Sequence, residues 1–292
     1  MSATSPAITA PAFRGRIGCD IRSGHYAAPH RYRLHLSVSC PASLPIAVTH
    51  SLLGLGDTLP VHRLPAVPDA PGDGFTALRP LYEAGSHHHR GPAVAPALSD
   101  TWTGRVVSTH GGDIRRDLAL RFAPAAGGPA LYPAEADARA GAVARLCAED
   151  IDGAAQSAGE LGIADPAHEE PLGVLLDALG SLERALTEEW FVLGDALTAA
   201  DVDVWTALVQ LDTVHRRHLD AEAVRRIADH PALWSYARRL AADPAFGAHL
   251  DLDAIGLRHE ARCRGHEAAG AAMQIVDWRA HTARSTRSTR AV

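Results

Sequence analysis

The chain has 292 residues, of which 47% are hydrophobic and 21% are charged, and its formal net charge is −6. This composition is typical of one large or two medium globular domains, and the negative charge argues against nucleic acid as the main partner. No apolar run is long enough to span a membrane, and the N-terminus lacks the pattern of a signal peptide. We therefore expect a cytoplasmic protein that binds neither membrane nor nucleic acid.

The first third of the chain carries both strand and helix signals. Residues 1–30 form an N-terminal extension, of which 1–12 are small, Pro-containing and expected to be poorly ordered. Alternating side chains over 31–38 predict a strand, and 45–57 predicts a helix that ends at Gly54 or Gly56. Prolines and glycines over 60–92 predict a long irregular connection.

The chain then returns to strands before a second helix. Two strands are predicted at 92–100 and 104–110, with a turn near Trp102–Gly104. A helix is predicted at 112–122. The first part therefore reads as β-α, a long connection, and β-β-α.

Beyond a Gly- and Pro-rich boundary near 125–135, the pattern is helical throughout. Leucines from Leu172 to Leu186 recur at i, i+3, i+4 and i+7, and Thr198 with Asp201 predicts a capped helix start. The predicted helices are 138–157, 170–190, 199–218, 220–229, 231–242 and 253–268. We expect an α+β domain at 31–125, an all-helical domain at 135–278 and a basic, solvated tail at 279–292.

Cys40 closes the first predicted strand and precedes Pro41. The four cysteines lie far apart without a Cys-x-x-Cys pair, which favours reduced thiols. A thiol at a strand-to-helix turn lies near N–H groups that favour the thiolate. Pro41 suits a first helical position, but Pro45 favours a later helix start that leaves Cys40 in the loop. The pattern alone leaves a reactive thiol and a buried, inert cysteine both open.

Proline and histidine supply the other candidate positions. Pro96 falls inside a predicted strand, which indicates an edge strand or a special turn, with a cis bond as one alternative. The run 87–89 holds three histidines, but adjacent side chains do not easily face one metal ion, so we expect a solvated loop. His215 and His218 lie one turn apart, and His259 follows; they are either catalytic or ordinary core and surface residues.

Several short segments together carry a family resemblance. They are SVSCPASLP (37–45), GLGD (54–57), APAL (95–98), LYP (131–133), VLGDALTAADVDVW (192–205), LDTVHRRHL (211–219), HPALWSYARRLA (230–241) and IVD (275–277). In order and spacing they resemble the cytosolic glutathione S-transferases, most strongly the xi class, the glutathionyl-hydroquinone reductases. The resemblance implies a thioredoxin-like N-terminal domain followed by an all-α domain, and a homodimer.

The resemblance also implies roles for individual residues. Cys40, followed by Pro41, matches the family's catalytic cysteine, which forms a mixed disulfide with glutathione. Ala95 and Pro96 match the cis-proline turn, whose backbone pairs with the cysteinyl part of the thiol.

Two departures from the family pattern bear on substrate choice. The Glu-Ser pair that holds the γ-glutamyl group in the family falls on His110 and Gly111. Losing charge-assisted hydrogen bonds of this kind costs about 1.5–3 kcal/mol each. The electrophile pocket has lost its tyrosines, and we expect His215, Arg258 and His259 to line it instead.

We therefore predict a thiol-dependent enzyme that acts on a quinone-like or activated-alkene substrate, with reductive removal of the thiol through Cys40. Its Ala- and Arg-rich composition suggests a high-GC genome, so mycothiol or ergothioneine is favoured over glutathione as the low-molecular-weight thiol, and no metal is expected. Two alternatives stay open. One is conjugation or cis–trans isomerisation with acid–base help from a histidine, and the other is a non-catalytic binding protein.

Overall fold

The computed structural model describes residues 13–86, 89–122, 128–162, 165–263 and 267–280. Its N-terminal half is a four-stranded mixed sheet in the order β2-β1-β3-β4, in which β1 is parallel to β2 and antiparallel to β3. The elements are β1 (Tyr32–Leu36), α1 (Leu44–Leu52), β2 (Val61–Arg63), α2 (Arg79–Gly85), β3 (Ala97–Asp100), β4 (Arg105–Ser108) and α3 (Gly111–Asp117), which continues as a wider π-helical turn over Leu118–Phe122. The predicted thioredoxin-like sheet is confirmed.

The first strand follows its alternating sequence, with one exception. Tyr32, Leu34 and Leu36 are buried and Arg33 is exposed, as period-two alternation requires. His35 is also buried, and its ring nitrogens lie 3.1 Å from Nδ1 of His62 and 2.9 Å from Oγ of Ser99. Hydrogen-bonded partners on both neighbouring strands make this polar burial tolerable.

The irregular connection predicted for 60–92 is wrong, because it contains β2 and α2. The strand β2 has only three residues and all are exposed, so it carries no apolar alternation to read. Pro80 lies in the first turn of α2, where its missing N–H costs nothing, rather than acting as a breaker. Pro96 also lies just before β3, not inside a strand. The other elements overlap their predicted ranges, although α1 ends at Leu52 rather than at Gly54 or Gly56, and β3 covers only the last four residues of the predicted 92–100.

The C-terminal half is all-helical, as predicted. Its helices are α4 (Asp137–Arg145), a π-helical stretch (Leu146–Gly153), α5 (Ala154–Leu161), α6 (Glu169–Glu188), α7 (Ala199–Thr213), a 3₁₀ turn (His215–His218), α8 (Ala221–Ala228), α9 (Pro231–Ala241), α10 (Pro244–Gly247) and α11 (Leu252–Cys263). The α7 start has the predicted capping box, in which Asp201 accepts the N–H of Thr198 at 2.8 Å. Within the described ranges, none of the helices is both long and apolar enough to span a bilayer.

The largest apolar cluster includes residues of both halves, and this places α1 against the helical domain. Leu44 and Val48 of α1 belong to the apolar cluster built mainly from α5, α6, α7 and α9. The buried Arg115 of α3 pairs with Asp203 of α7 and donates to the carbonyl of Ala199 at 3.2 Å. The N-terminal end of α1 therefore faces the helical domain. The domain boundaries stay predictions, and residues 1–12 and most of the basic tail (281–292) lie outside the described residues.

Candidate functional site

Cys40 lies in the turn between β1 and α1. Its N–H donates to the carbonyl of Ser37 at 2.9 Å, and its own carbonyl accepts the N–H groups of Ser43 and Leu44 at 2.9 and 3.2 Å. The helix begins at Leu44 with Pro45 in its first turn, so the later helix start is the correct one and Pro41 belongs to the loop. The thiol is 8% exposed and its Sγ lies 3.8 Å from the carbonyl oxygen of Ala95.

The cis-proline turn and the start of α3 lie beside this cysteine turn. The Ala95–Pro96 bond is cis, so the alternative raised from the sequence is the one observed. A Cβ placed on Gly111 would lie 3.4 Å from the carbonyl oxygen of Ala42 and 4.0 Å from Cγ of Pro96. Three backbone segments far apart in sequence therefore converge here, and we refer to them as the thiol subsite: 40–42, 95–96 and 110–111.

His110 caps α3 rather than standing free in this subsite. Its Nδ1 accepts the N–H of Asp113 at 3.1 Å. Arg14 pairs with the carboxylate of Asp113 at 2.8 Å and lies 3.4 Å from Nδ1 of His110. The imidazole thus does for the helix what a Ser or Asp cap does. It offers no carboxylate to an amino group.

A cavity of about 460 Å³ opens next to the cysteine turn. Ser39 and Pro41, which flank Cys40, line it on the sheet side. The helical domain supplies the rest of the wall: Asp152, Ala155, Gln156, Gly159, Glu160, Gln210, Val214, His215, His218, Ile255, Arg258, His259, Arg262 and Cys263. The volume suits one substituted aromatic ring system. The three residues expected from the sequence, His215, Arg258 and His259, are therefore brought together in one pocket.

The pocket joins two histidines considered in the sequence analysis to Cys263, a residue that the sequence reasoning did not select. His218, His259 and Cys263 form an imidazole–thiol cluster, in which Nε2 of His218 lies 2.9 Å from Nε2 of His259 and 3.4 Å from Sγ of Cys263. His259 and Cys263 are four residues apart on α11 and so share a face of that helix. This spacing was the signal available in the sequence for Cys263.

Burial favours the neutral forms of two members of this cluster, His259 and Cys263. Desolvation, with further lowering by the charges of Arg217 and His218, brings the pKa of His259 to about 4. Desolvation likewise raises the pKa of Cys263. Both groups are therefore held in their neutral forms.

The cluster has the ligand types of a zinc site, since its three donor atoms lie within 4.8 Å of one another. Its surroundings favour hydrogen bonding instead. The guanidinium of Arg217, which can only donate, lies 3.1 Å from Nδ1 of His259. A neutral His259 that accepts this donor carries its proton on Nε2, the nitrogen that lies 2.9 Å from His218, and a metal ion bound at Nε2 would have to displace that proton. Of the histidine run at 87–89, only His89 is described, and it packs against the ring of Tyr82 with centroids 5.1 Å apart.

Comparisons with known proteins agree with the fold. Residues 165–239 match the family model described as "Glutathione S-transferase, C-terminal domain". A glutathionyl-hydroquinone reductase of Sphingobium chlorophenolicum is 27% identical over 245 residues, which cover 79% of this chain and 78% of that protein. One from Escherichia coli is 25% identical over 249 residues, covering 80% and 75%. The structure of a glutathione transferase from Gordonia bronchialis superposes with a TM-score of 0.74 at 27% identity, covering 85% of this chain and 81% of that one.

Proposed function

We propose that this glutathione S-transferase-like protein, whose homologues are glutathionyl-hydroquinone reductases, removes a small thiol reductively from an aromatic thioether, with Cys40 as the nucleophile. The observation that carries the proposal is the position of Cys40. Its thiol lies in the turn before α1, faces the carbonyl of Ala95 before cis-Pro96, and stands between two residues, Ser39 and Pro41, that line the cavity. Cys40 does not itself line the cavity, and a thioether bound there would have to reach its 8% exposed side chain between Ser39 and Pro41.

The chemistry is a two-step thiol exchange. The thiolate of Cys40 attacks the sulfur of the thioether, an S–S bond forms and the carbon–sulfur bond breaks. The aromatic carbon takes the electron pair and one proton, which gives the free hydroquinone. A second thiol molecule then attacks the mixed disulfide, which releases the symmetrical disulfide and restores Cys40. The sulfur of the thioether and the sulfur of the second thiol are oxidised together to one disulfide. The carbon–sulfur bond is reduced to carbon–hydrogen, so the electrons balance.

Histidines of the pocket supply the proton in this scheme. His215 lines the cavity and lies 3.7 Å from the carboxylate of Asp152. Nε2 of His218 lies 2.9 Å from Nε2 of His259, and this contact orients the His218 ring in the pocket. The same groups favour a second candidate function, addition of a thiol to an activated alkene or quinone, or cis–trans isomerisation, because those reactions need acid–base help and no redox-active cysteine.

The thiol subsite bears on the choice of thiol. His110 and Gly111 offer neither carboxylate nor hydroxyl to a γ-glutamyl head group, and the His110 imidazole already caps α3. We therefore favour mycothiol or ergothioneine over glutathione as the cofactor. A homodimer and a cytoplasmic location stay predictions.

The test is conversion of a thiol-conjugated hydroquinone to the free hydroquinone, followed by chromatography, with wild type, Cys40→Ser and Cys19→Ser. Cys19 is an exposed free thiol and serves as the matched control. The proposal expects loss of turnover only in Cys40→Ser. Thioether reduction that survives Cys40→Ser would overturn the role of Cys40. Thiol addition or isomerisation that survives it would support the second candidate.

A further inference from the structure

Arg258 is the most unusual charged group of the pocket. It lies on α11, lines the cavity, and is only 8% exposed. Its Nε and Nη1 are buried and have no hydrogen-bond partner within the described ranges. A guanidinium is protonated at any ordinary pH, so this group cannot lose its charge to escape burial.

The other buried arginines of the described chain show what such a group normally has. Arg31 pairs with the carboxylate of Asp100 at 2.8 Å. Arg115 pairs with Asp203. No carboxylate of the described residues forms an ion pair with Arg258. A buried, uncompensated charge is costly, and an anion brought into the cavity would offset that cost.

The positive and negative side chains of the cavity come from different elements. Arg258 and Arg262 come from α11, whereas its two carboxylates, Asp152 and Glu160, come from the stretch between α4 and the end of α5. Arg262 is half exposed and already paired with Asp73, so its charge is screened. Arg258 is therefore the cation available to a ligand.

From this arrangement we infer that the pocket selects an aromatic electrophile carrying an anionic substituent, a carboxylate or a sulfonate, which the guanidinium of Arg258 accepts. The inference rests on the proposed function for the identity of the electrophile as the ligand. The apolar side chains of Ala155, Val214 and Ile255 would contact the ring. The same guanidinium could otherwise take a carboxylate of the thiol cofactor, and the test separates these two sources.

The experiment is calorimetric titration with 2-naphthoate and its neutral analogue 2-naphthamide, on wild type, Arg258→Met, Arg258→Lys and Arg262→Met. We expect wild type to bind naphthoate about ten- to a hundredfold more tightly than naphthamide. Arg258→Met should lose that preference, Arg258→Lys should keep part of it, and Arg262→Met should keep most of it. Equal binding of the two ligands by wild type, or a preference that survives Arg258→Met, overturns the inference.

Two further readouts make the result unambiguous. Because Arg258→Met removes an unpaired buried charge, its melting temperature should equal or exceed that of wild type, so lost binding is not lost folding. The Cys40→Ser variant should keep the naphthoate preference, since this binding needs no thiol chemistry. A failed reductase assay with preference intact would refute the proposed function alone. If Arg258→Met instead weakens binding of the thiol while naphthoate and naphthamide bind alike, the anion belongs to the cofactor and the inference is wrong.

Discussion

Replacing Asp201 with alanine should destabilise the protein more than the loss of any ordinary helix cap. The carboxylate is fully buried and accepts four hydrogen bonds. Oδ1 takes the N–H of Val192 and the hydroxyl of Tyr236, each at 2.9 Å. Oδ2 takes the N–H and the hydroxyl of Thr198 at 2.8 and 3.1 Å. Alanine would leave these donors buried without an acceptor.

The expected loss follows from those contacts. Hydrogen bonds to a charged group contribute about 1.5–3 kcal/mol each, and the desolvation that raises the pKa of Asp201 offsets part of the sum. We expect Asp201→Ala to cost about 3–5 kcal/mol, and Asp201→Asn to cost less because one oxygen is retained. For a chain of this length the melting temperature would fall by about 10 °C.

The assay is thermal unfolding followed by circular dichroism, with Asp220→Ala as the matched control. Asp220 caps α8 and accepts two N–H groups, but it is only partly buried. Its removal should cost about 1 kcal/mol. A loss for Asp201→Ala no larger than that for Asp220→Ala would refute the reasoning that burial, and not capping alone, sets the cost.

Three other outcomes are expected. Burial first, and then the charge of His62, lowers the pKa of His35 from 6.5 to about 4. The contribution of neutral His35 to the free energy of unfolding is therefore complete above pH 6.5 and is lost as the pH falls towards 4. Urea unfolding should show up to ~3 kcal/mol of acid destabilisation, and His35→Gln should reduce it. The double change His110→Glu with Gly111→Ser should raise glutathione affinity at least tenfold in calorimetry, because it supplies a carboxylate and a hydroxyl. The pair His110→Gln with Gly111→Ala supplies neither and should not raise the affinity. A side chain fits at position 111, since its Cβ would meet only ordinary contacts. Removal of metal ions by a chelator, verified by metal analysis, should leave reductase activity unchanged. Activity that depends on zinc would show that the imidazole–thiol cluster holds an ion.

The sequence predicted those elements whose apolar period was long and clear. The leucine stripe from Leu172 to Leu186 became α6, and the capping pair became the start of α7. Elements without such a period were missed. The strand β2 has three exposed residues and is held by pairing with β1, which no local pattern encodes.

The candidate site likewise has residues that the sequence could indicate and residues that only the three-dimensional structure reveals. The chain pattern placed Cys40 and Pro96 at junctions but left their roles open, and the family resemblance selected them. The cluster of His218 with Cys263 depends on the packing of the 3₁₀ turn after α7 against α11, elements some 45 residues apart. The unpaired state of Arg258 could not be read from sequence at all, because it is defined by the absence of a carboxylate in three dimensions among the described residues.

The most direct test of the central claim is intact-protein mass spectrometry of reduced protein incubated with the disulfides of glutathione, mycothiol and ergothioneine. Cys40→Ser and Cys19→Ser are measured beside wild type. We predict a single adduct with one of the non-glutathione thiols, present in wild type and Cys19→Ser and absent from Cys40→Ser. No adduct with any of the three thiols, or an adduct that persists in Cys40→Ser, would contradict the assignment of Cys40 as the redox nucleophile.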